Sequence, residues 1–443
     1  MCCVSFWLHE DGGRAFRQLP GACRTGKAWR TGRMTQRVLI AGGGIGGLAA
    51  ALSASKAGWH VGLHEQAPSF SEVGAGVQLG PNVLRLLHGW GLAPALERVA
   101  AFPERLQVRD ALSGQELGVL PLGRRALQKY GAPYATLHRA DLHGLLLRAV
   151  QLQGNASLAL GSSVAGFTSC GQGVRLQIQA GSAPPAELSG DALVGADGLW
   201  SRVRGEMLGA APPRLTGHLA YRALLPQTSL PAWLRSQQVT AWLGPRLHGV
   251  HYPVRGGDGL NRVTIVQGTV AGDVKDWDHS ANGVDLQDAT RGTAAMLREL
   301  IQAVTDGGNK TSPAWRLWAL CDRPPMRGAF EQAQGRVALL GDAAHPMRPF
   351  LAQGAGMAIE DAAELGAQLA QARRPESDIA AALGRYALAR WQRNARVQAR
   401  SVRNGQIFHA EGLLRWTRNA SMKLAGERLL DLPWLYGPAS RAV

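Results

Sequence analysis

The sequence has few cysteines and no long apolar run. None of its five cysteines shows the spacing of metal ligands, and three of them lie within the first 23 residues. We therefore expect no disulfide framework and no metal site, and the thiol usage favours a reducing cytoplasm. Because no apolar run reaches the roughly 18 residues that a membrane span needs, no transmembrane helix is predicted.

Acidic residues are scarce as well, with 32 Asp and Glu against 48 Lys and Arg and a net charge of +16. Residues 1–33 and 385–443 carry 12 of the 16 excess charges, so the middle of the chain is nearly balanced. This distribution favours solvated helix faces or attraction for anionic substrates over nucleic-acid binding. Four C-terminal arginines lie mostly on one helical stripe: Arg390, Arg393, Arg400 and Arg403. For this stripe, exposure to solvent or packing against acidic neighbours is favoured over binding to a membrane or polyanion.

Length and apolar content are what the chain does offer. Its 443 residues, 46% of them hydrophobic, are enough for two or three domains. Residues 1–33 show no helical or strand period and no convincing signal peptide. We expect them to be a disordered extension upstream of Met34.

A glycine-rich fingerprint follows the first apolar strand, Val38–Ala41. Gly42, Gly44 and Gly47 form G-x-G-x-x-G between this strand and an Ala/Leu-rich helix. The three glycines permit a tight turn, approach of a pyrophosphate and close helix–strand packing. Glu65 ends the second strand, 23 residues after Gly42, where a carboxylate binds a ribose 2′-hydroxyl. The pattern predicts an ADP-containing ligand such as FAD or NAD.

A second strand-turn-helix runs from Gly335 to Asp361. The strand Val337–Leu340 ends at Gly341-Asp342, and a Pro-rich loop leads through Gly354-Ala355-Gly356 into a helix. The carboxylate can hold sugar-type hydroxyls, and the helix N-terminus offers free N–H groups to an anion. Taken alone, the segment could be any buried strand-turn-helix.

Three weaker signals lie between these motifs. A Gly-rich loop over 73–82 would place Gln78 at an active site, or be ordinary loop chemistry. Arg139, at a strand–helix junction, could bind phosphate in bidentate fashion or be a surface arginine. Asp197-Gly198 follows a buried strand and is either a turn or part of a ligand site.

Residues 105–134 are expected to form strands and turns, and residues 211–326 a mainly antiparallel sheet. On a strand, His248 and Tyr252 share one face and His251 points to the other. A histidine is the side chain most easily set up as a base near pH 7, although a strand histidine is more often structural. Arg222, which follows Tyr221, or Arg246 could pair with a substrate carboxylate.

Three motifs stand in a fixed order: the fingerprint with Glu65, then Gly195–Gly198, then Gly341–Pro346 (GDAAHP). Over residues 36–437 this order resembles the single-component FAD-dependent aromatic hydroxylases of the p-hydroxybenzoate hydroxylase fold class. The stretches EVGAGVQLGPN, AYRALLP, GPRLHGVHYPVRGG, WALCDRPP and WLYG are most similar to one branch. That branch contains salicylate hydroxylase, 3-hydroxybenzoate 6-hydroxylase and 6-hydroxynicotinate 3-monooxygenase.

The resemblance implies an α/β fold with a Rossmann-like FAD-binding domain, an inserted mainly antiparallel β-sheet substrate domain and a helical C-terminus. The FAD-binding domain would comprise residues 34–104, 136–210 and 328–372. The substrate domain would comprise 105–135 and 211–327, followed by the helical segment 373–443. With one fingerprint only, FAD would be the bound cofactor and NADH or NADPH a transient reductant. A homodimer is compatible with this picture.

The resemblance also implies roles for individual residues. Those placed at FAD are Gly42, Gly44, Ile45, Gly47, Glu65, Arg139, Asp197 (indirectly), Gly341, Asp342, Gly354, Ala355 and Gly356. The expected catalytic residues are His248, Tyr252 and Pro349. The expected substrate contacts are Gln78, Tyr221, Arg222 and His251.

The implied activity is NAD(P)H- and O2-dependent hydroxylation of a small phenolic or hydroxy-heteroaromatic acid through a flavin C4a-hydroperoxide. The pocket must exclude water and must take a phenolic proton. One alternative is a ubiquinone-precursor ring hydroxylase with its basic C-terminal helices against a membrane, and another is a non-hydroxylating flavoprotein. Halogenation is disfavoured because the WxWxI pattern is missing; Trp315 and Trp318 are three residues apart.

Overall fold

The computed structural model describes residues 36–70, 75–181, 183–209, 211–270, 272–275, 279–280, 283–307, 315–373 and 378–437. The predicted extension 1–33 lies outside the described residues. So does the start of the Gly-rich loop, Val73 and Gly74.

Within these residues the strands are β1 (Arg37–Ala41), β2 (His60–His64), β3 (Gly76–Leu79), β4 (Arg105–Asp110), β5 (Glu116–Pro121), β6 (Ala135–His138), β7 (Ala156–Ala159), β8 (Ser162–Cys170), β9 (Gly173–Ala180), β10 (Ala186–Gly190), β11 (Ala192–Gly195), β12 (Arg214–Pro226), β13 (Val239–Gly244), β14 (Leu247–Val254), β15 (Gly259–Gln267), β16 (His279–Ser280), β17 (Arg316–Asp322), β18 (Ala333–Gln334) and β19 (Val337–Leu339). The helices are α1 (Ile45–Lys56), α2 (Pro81–Gly89), α3 (Ala93–Glu97), α4 (Gly123–Tyr130), α5 (Arg139–Gln153), α6 (Arg202–Leu208), α7 (Gly283–Ala289), α8 (Ala295–Asp306), α9 (Gly354–Gln371), α10 (Ile379–Phe408), α11 (Gly412–Leu430) and α12 (Pro433–Tyr436).

A six-stranded sheet carries both glycine motifs. Its order is β18-β19-β11-β1-β2-β7, parallel throughout except for the edge strand β18. Its central strands are apolar and buried, as parallel strands covered on both faces require. Helix α1 packs against α5 and α9, and the Trp59 indole N–H donates to the Leu369 carbonyl at 2.9 Å. The Rossmann-like α/β prediction is confirmed.

An eight-stranded sheet follows the order β16-β17-β12-β15-β14-β13-β4-β5. All its pairs are antiparallel except β13 with β4. On one face, apolar side chains of α7 and α8 pack against Tyr221 and Trp242. The opposite face is turned towards the cavity described below. The mainly antiparallel inserted sheet is therefore confirmed.

The expectation of strands and turns throughout 105–134 is wrong at α4. This helix buries only Ala126 and ends at Gly131, whose φ of 73° suits a glycine that closes a helix. Lys129 and the Tyr130 hydroxyl bond to the Asp431 carboxylate from the other end of the chain. A local sequence pattern cannot predict tertiary contacts of this kind.

The C-terminal segment is helical, as predicted. Arg390 and Arg393, both from the predicted arginine stripe, reach the α9 carboxylates: Arg390 Nε lies 2.7 Å from Asp361 Oδ1, and Arg393 Nε lies 2.6 Å from Glu360 Oε2. For these two arginines, packing against acidic neighbours is confirmed. None of the described helices combines the length and apolar character that crossing a membrane requires.

Candidate active site

One cavity of about 340 Å³ reaches from the glycine fingerprint to the eight-stranded sheet. Gly44 and Ile45 line it at the start of α1, and Gly341 and Asp342 line it after β19. The far wall consists of residues of β12, β14, β15 and β17, which on β14 and β15 come from alternate positions. The cavity therefore lies at the carboxyl ends of the parallel strands, where open α/β sheets bind ligands.

The fingerprint glycines differ in what surrounds them. A Cβ on Gly42, whose φ is 100°, would lie 2.4 Å from the Ala196 carbonyl oxygen. A Cβ on Gly47 would lie 1.9 Å from the Gly42 oxygen, so both positions exclude a side chain. Gly44 has nothing within 4 Å of a Cβ and begins α1 without a side-chain cap. The first N–H groups of α1 are thus open to a ligand.

The Glu65 carboxylate lies beside the fingerprint. Its Oε2 accepts a hydrogen bond from the Gly43 N–H at 2.6 Å, and its Oε1 accepts one from the Ala67 N–H at 2.8 Å. Arg139 is the first residue of α5 and lines the cavity. A carboxylate at the end of β2 and a cation near the α1 N-terminus suit a ribose and a pyrophosphate.

Asp342 is exposed to the cavity and surrounded by protein on its other sides. Burial therefore raises the pKa of its carboxyl group, against the lowering effect of His345, Arg139 and Arg204. Gly354 and Ala355 line the cavity where α9 begins without a side-chain cap. Gly356 is not among the residues that line it, and a Cβ there would lie 2.9 Å from Gln353 Oε1 and 3.0 Å from Val83. The expected contact of its backbone with the cofactor stays a prediction.

Asp197 does not point into the cavity. Its Oδ2 accepts hydrogen bonds from the N–H groups of Arg202 (2.8 Å) and Val203 (3.1 Å), and its Oδ1 accepts one from the Ser201 hydroxyl. The carboxylate caps α6, whereas the residues on either side of it, Ala196 and Gly198, line the cavity. This geometry leaves Asp197 the indirect role expected of it and no direct contact.

The period of the strands decides which substrate candidates reach the cavity. His248 and Tyr252 line it, whereas His251 lies on the opposite face, with its Nδ1 3.2 Å from Arg262 Nη1. Tyr221 also faces away and packs edge-to-face on Trp315. The expected substrate contacts of His251 and Tyr221 are therefore corrected to structural roles behind the sheet.

Arg222 is the arginine that a ligand can reach. It lines the cavity, its Cζ lies 4.0 Å from the Trp318 ring centroid, and its Nε is buried without a hydrogen-bond partner. Within the described residues no carboxylate pairs with it, and burial lowers its pKa to about 10. Arg246 is 68% exposed and lies 3.1 Å from Glu411. Arg246 is thus removed as a candidate for a buried carboxylate site.

Tyr252 and Gln78 form a polar corner of the cavity. Gln78 Oε1 accepts a hydrogen bond from the Tyr134 hydroxyl at 2.7 Å, and Gln78 and Tyr252 both line the cavity. Burial raises the pKa of Tyr252, although Arg222 and Gln78 act in the opposite direction. The phenol of Tyr252 therefore stays protonated and can donate a hydrogen bond.

His248 has one ring nitrogen left for a ligand, because its Nδ1 lies 2.7 Å from His409 Nε2. Phe350 and Phe408 pack edge-on against its ring, with centroids 4.9 and 5.4 Å away. Burial, then His409, His218 and Arg262, hold the pKa of His248 well below its ordinary value. His248 is thus a neutral base at neutral pH.

Comparison with known proteins decides the family. The family model described as "FAD binding domain" matches residues 35–401. This chain belongs to the family of FAD-dependent aromatic hydroxylases.

The hydroxylase is 37% identical to 3-hydroxybenzoate 6-hydroxylase 1 of Aquipseudomonas alcaligenes, over 91% of this chain and 98% of that protein. It is 36% identical to 6-hydroxynicotinate 3-monooxygenase of Bordetella bronchiseptica, over 82% of this chain and 89% of that protein. A solved salicylate hydroxylase substrate complex matches with a TM-score of 0.74 and 26% identity, over 90% of this chain and 95% of that one. The predicted family, enzyme class and FAD cofactor are confirmed.

The residues of the hydroxylase fit FAD. Gly42 and Gly47, where no side chain would fit, shape the turn. Gly44, with nothing within 4 Å of a Cβ, leaves room where a pyrophosphate would lie. Asp342 offers a carboxylate to a sugar-like chain, and the α9 N-terminus at Gly354 offers free N–H groups to the anionic edge of a flavin.

Sequence analysis missed the partners of these residues. His409 lies 161 residues from His248, at the end of α10, and no local pattern connects them. His345 was quoted only within its motif, yet its Nε2 lies 2.6 Å from the buried Asp361. Trp318, against whose ring Arg222 stacks, entered the sequence analysis only as an argument against halogenation. Alternation along β17, set beside that of β12, is the one signal that could have paired them.

Proposed function

We propose that the hydroxylase uses NAD(P)H and O2 to hydroxylate a small phenolic acid or hydroxypyridine acid whose carboxylate Arg222 binds. The observation that carries this proposal is the half-buried Arg222, whose Nε is fully buried, which opens on the cavity and has no anionic partner among the described residues. A buried cation without a counter-charge is costly, and a substrate carboxylate would compensate it. The relatives named above act on hydroxybenzoate and hydroxynicotinate, which carry both a hydroxyl and a carboxylate.

Each group in the cavity has a proposed task. Arg222 binds the carboxylate, and Tyr252 donates a hydrogen bond that orients the ring. His248 accepts the hydroxyl proton at Nε2, which makes the ring more nucleophilic. Apolar side chains of β14 and β15 limit the access of water: Val250, Val263 and Ile265. When bound, FAD carries electrons from NAD(P)H to O2 and delivers one oxygen atom to the ring.

Several expectations stay predictions. Pro349 lines the cavity but has no ionisable group, so we assign it to the wall beside the cofactor. The contacts of Glu65, Arg139 and Asp342 with FAD are proposals, as is the division into FAD-binding, substrate and C-terminal segments. A homodimer and a cytoplasmic location remain untested.

The test is a panel of hydroxybenzoates and hydroxynicotinates added to the purified FAD-loaded protein. We expect at least one acid to accelerate NAD(P)H oxidation and to yield a product heavier by one oxygen atom. If no acid accelerates NAD(P)H oxidation and none yields a hydroxylated product, a non-hydroxylating flavoprotein is favoured. Pelleting with anionic vesicles tests the alternative of a membrane-bound polyprenylated substrate.

Arg222→Met tests the carboxylate site. A hydrogen bond to a charged group contributes about 1.5–3 kcal/mol, so the Kd of the best acid should rise roughly 10- to 150-fold. The neutral amide of the same acid should bind wild type and variant equally. Arg246→Met removes an exposed arginine and serves as the matched control. Equal losses for acid and amide would refute the assignment.

A further inference from the structure

A two-stranded ribbon, β3 with β6, forms the side of the cavity between its cofactor end and its substrate end. The two strands pair antiparallel, and Gly76, Val77 and Gln78 of β3 line the cavity. The N–H of Arg139, the first residue of α5, donates a hydrogen bond to the Ala75 carbonyl at 2.7 Å, just before β3. Any change in how the ribbon is held therefore moves part of the cavity wall.

Asn261 joins this ribbon to the eight-stranded sheet. It lies on β15 directly opposite Tyr252 of β14, and it is fully buried. Its Oδ1 accepts a hydrogen bond from the Gly76 N–H at 2.7 Å. The Thr136 hydroxyl on β6 makes a second link, because it donates to the Pro253 carbonyl of β14 at 2.5 Å. The ribbon is thus bonded to two of the strands that form the far wall.

The ribbon and the sheet are in close contact at Gly76. A Cβ there would lie 2.6 Å from Tyr252 Cε2 and 2.7 Å from Asn261 Cγ. The backbone of Gly76 is not in the left-handed region, so the close approach, and not the conformation, is what requires a glycine. The ring of Tyr252, which is proposed to donate a hydrogen bond to the substrate, is therefore packed directly against the ribbon.

The side-chain amide of Asn261 is used at its oxygen. Its Nδ2 is buried and has no hydrogen-bond partner among the residues that the structure describes. Val263 and Ile265, which follow on the same face of β15, are apolar. An apolar side chain at position 261 would remove the unpaired NH2 group, whose burial is unfavourable. The bond from Oδ1 to the ribbon is thus what an asparagine adds at this position.

We propose that Asn261 is a positioning residue that closes the cavity to water by holding the ribbon against the substrate sheet. It acts through Gly76 and Tyr252 and is not itself among the residues that line the cavity. The proposal rests on the proposed function, because closure matters only if oxygen is transferred to a bound acid. With the cavity open, two electrons from NAD(P)H and two protons convert O2 to hydrogen peroxide, and the acid is left unchanged.

The experiment compares Asn261→Leu with wild type, both loaded with FAD. Leucine has a similar size but offers no acceptor to the Gly76 N–H. With the panel acid that wild type hydroxylates best, the product formed per NAD(P)H oxidised should fall at least about twofold, and hydrogen peroxide should account for the difference. The KM for the acid should rise while the kcat of NAD(P)H oxidation stays near that of wild type. Deuterium exchange in the backbone of residues 75–80 should be at least about twofold faster, because one hydrogen bond of the ribbon is lost.

Two further variants flank this one. Thr264→Val is the matched control: Thr264 is buried on the same strand but on the opposite face, where its Oγ1 lies 3.2 Å from Arg262 Nε. It should keep the wild-type product ratio and the wild-type exchange in the ribbon. Gly76→Ala opens the same contact from the ribbon side and should reproduce the changes seen in Asn261→Leu.

The outcomes separate the closure from the proposed function. A wild-type product ratio in Asn261→Leu overturns the closure, whether or not exchange in the ribbon is faster. Equal changes in Thr264→Val overturn it as well, since they would be general effects of disturbing β15. If Asn261→Leu does not fold or loses FAD, Gly76→Ala decides by the same criteria. In all these cases wild type still hydroxylates its acid, whereas a wild type that hydroxylates no acid removes the proposed function and the closure together.

Discussion

Replacing Arg390 by methionine is the sharpest test of how α9 is held at the cofactor end of the cavity. Arg390 is 4% exposed, and its Nε and Nη1 lie 2.7 and 2.8 Å from Asp361 and Glu360, which are 0% and 7% exposed. Burial by itself would raise the pKa of each carboxyl group, but the neighbouring cations reverse the sign. His345 and Arg390 lower the pKa of Asp361, and Arg390 and Arg393 lower that of Glu360.

The magnitude follows from the charges that Arg390→Met would leave behind. Removing one partner of a buried ion pair costs about 3–5 kcal/mol, because the remaining charge is uncompensated. Arg393 still reaches Glu360, so the loss falls mainly on Asp361. With a total stability of about 5–15 kcal/mol for a typical protein, this loss is a large share. Because both carboxyl pKa values are lowered, the stabilisation is present at neutral pH and is lost as pH falls below the ordinary value of about 4.

The assay is denaturant unfolding at pH 7 and pH 4, followed by tryptophan fluorescence with and without FAD. Arg385→Met is the matched control, since Arg385 lies exposed on the same helix and bonds only to Gln368 among the described residues. We expect Arg390→Met to lose about 3–5 kcal/mol at pH 7, less at pH 4, and Arg385→Met to lose under about 0.5 kcal/mol. A loss in Arg390→Met no larger than that of the control would refute this account.

Three further predictions concern the cavity itself. Gly47→Ala should lower the free energy of unfolding even without FAD, because its Cβ would lie 1.9 Å from the Gly42 oxygen. Gly44→Ala should leave the stability of the FAD-free protein unchanged and weaken FAD binding. Calorimetry measures the stability of both variants, and flavin fluorescence measures their FAD binding. His248→Ala should abolish most product formation with FAD still bound, while His251→Ala, behind the sheet, should cost stability and spare the chemistry; loss of FAD in the first variant would make His248 structural. The kcat/KM for hydroxylation should fall at acid pH with a midpoint below 6.5, because the neutral His248 ring is the active form and its pKa is lowered.

The cofactor half of the site could be predicted from the sequence because its signals are local. Gly42, Gly44 and Gly47 stand between a strand and a helix, and the geometry of a turn restricts which residues fit there. Strand β11 leads into Gly195-x-Asp197 and strand β19 into Gly341-Asp342, and both strands belong to the six-stranded sheet. Each of these conclusions rests on neighbours within about 25 residues.

The substrate half could be predicted only from the two-residue period of the strands. That period shows which side chains share a face of the sheet, but not which other elements pack against that face. The period placed His248 and Tyr252 on one face, as the structure does. Tyr221 and Arg222 were both expected at the substrate although neighbours on a strand face opposite ways, and Tyr221 packs on Trp315. The Arg222–Trp318 stack depends on the pairing of β12 with β17, about 100 residues apart. The His248–His409 contact depends on a helix end docking beside a sheet, which no repeat in the sequence encodes.

The chain order of the six-stranded sheet has a consequence for synthesis. Strand β19 pairs with β11, which pairs with β1, so the sheet is incomplete until Val337–Leu339 has been made. At about 5–20 residues per second, the roughly 140 residues between β11 and β19 take about 7–28 s to translate. Throughout that time the apolar edge of β11 has no partner strand on the ribosome. Yield in a heterologous host should therefore depend on translation speed and chaperone supply more than on the stability of the finished protein.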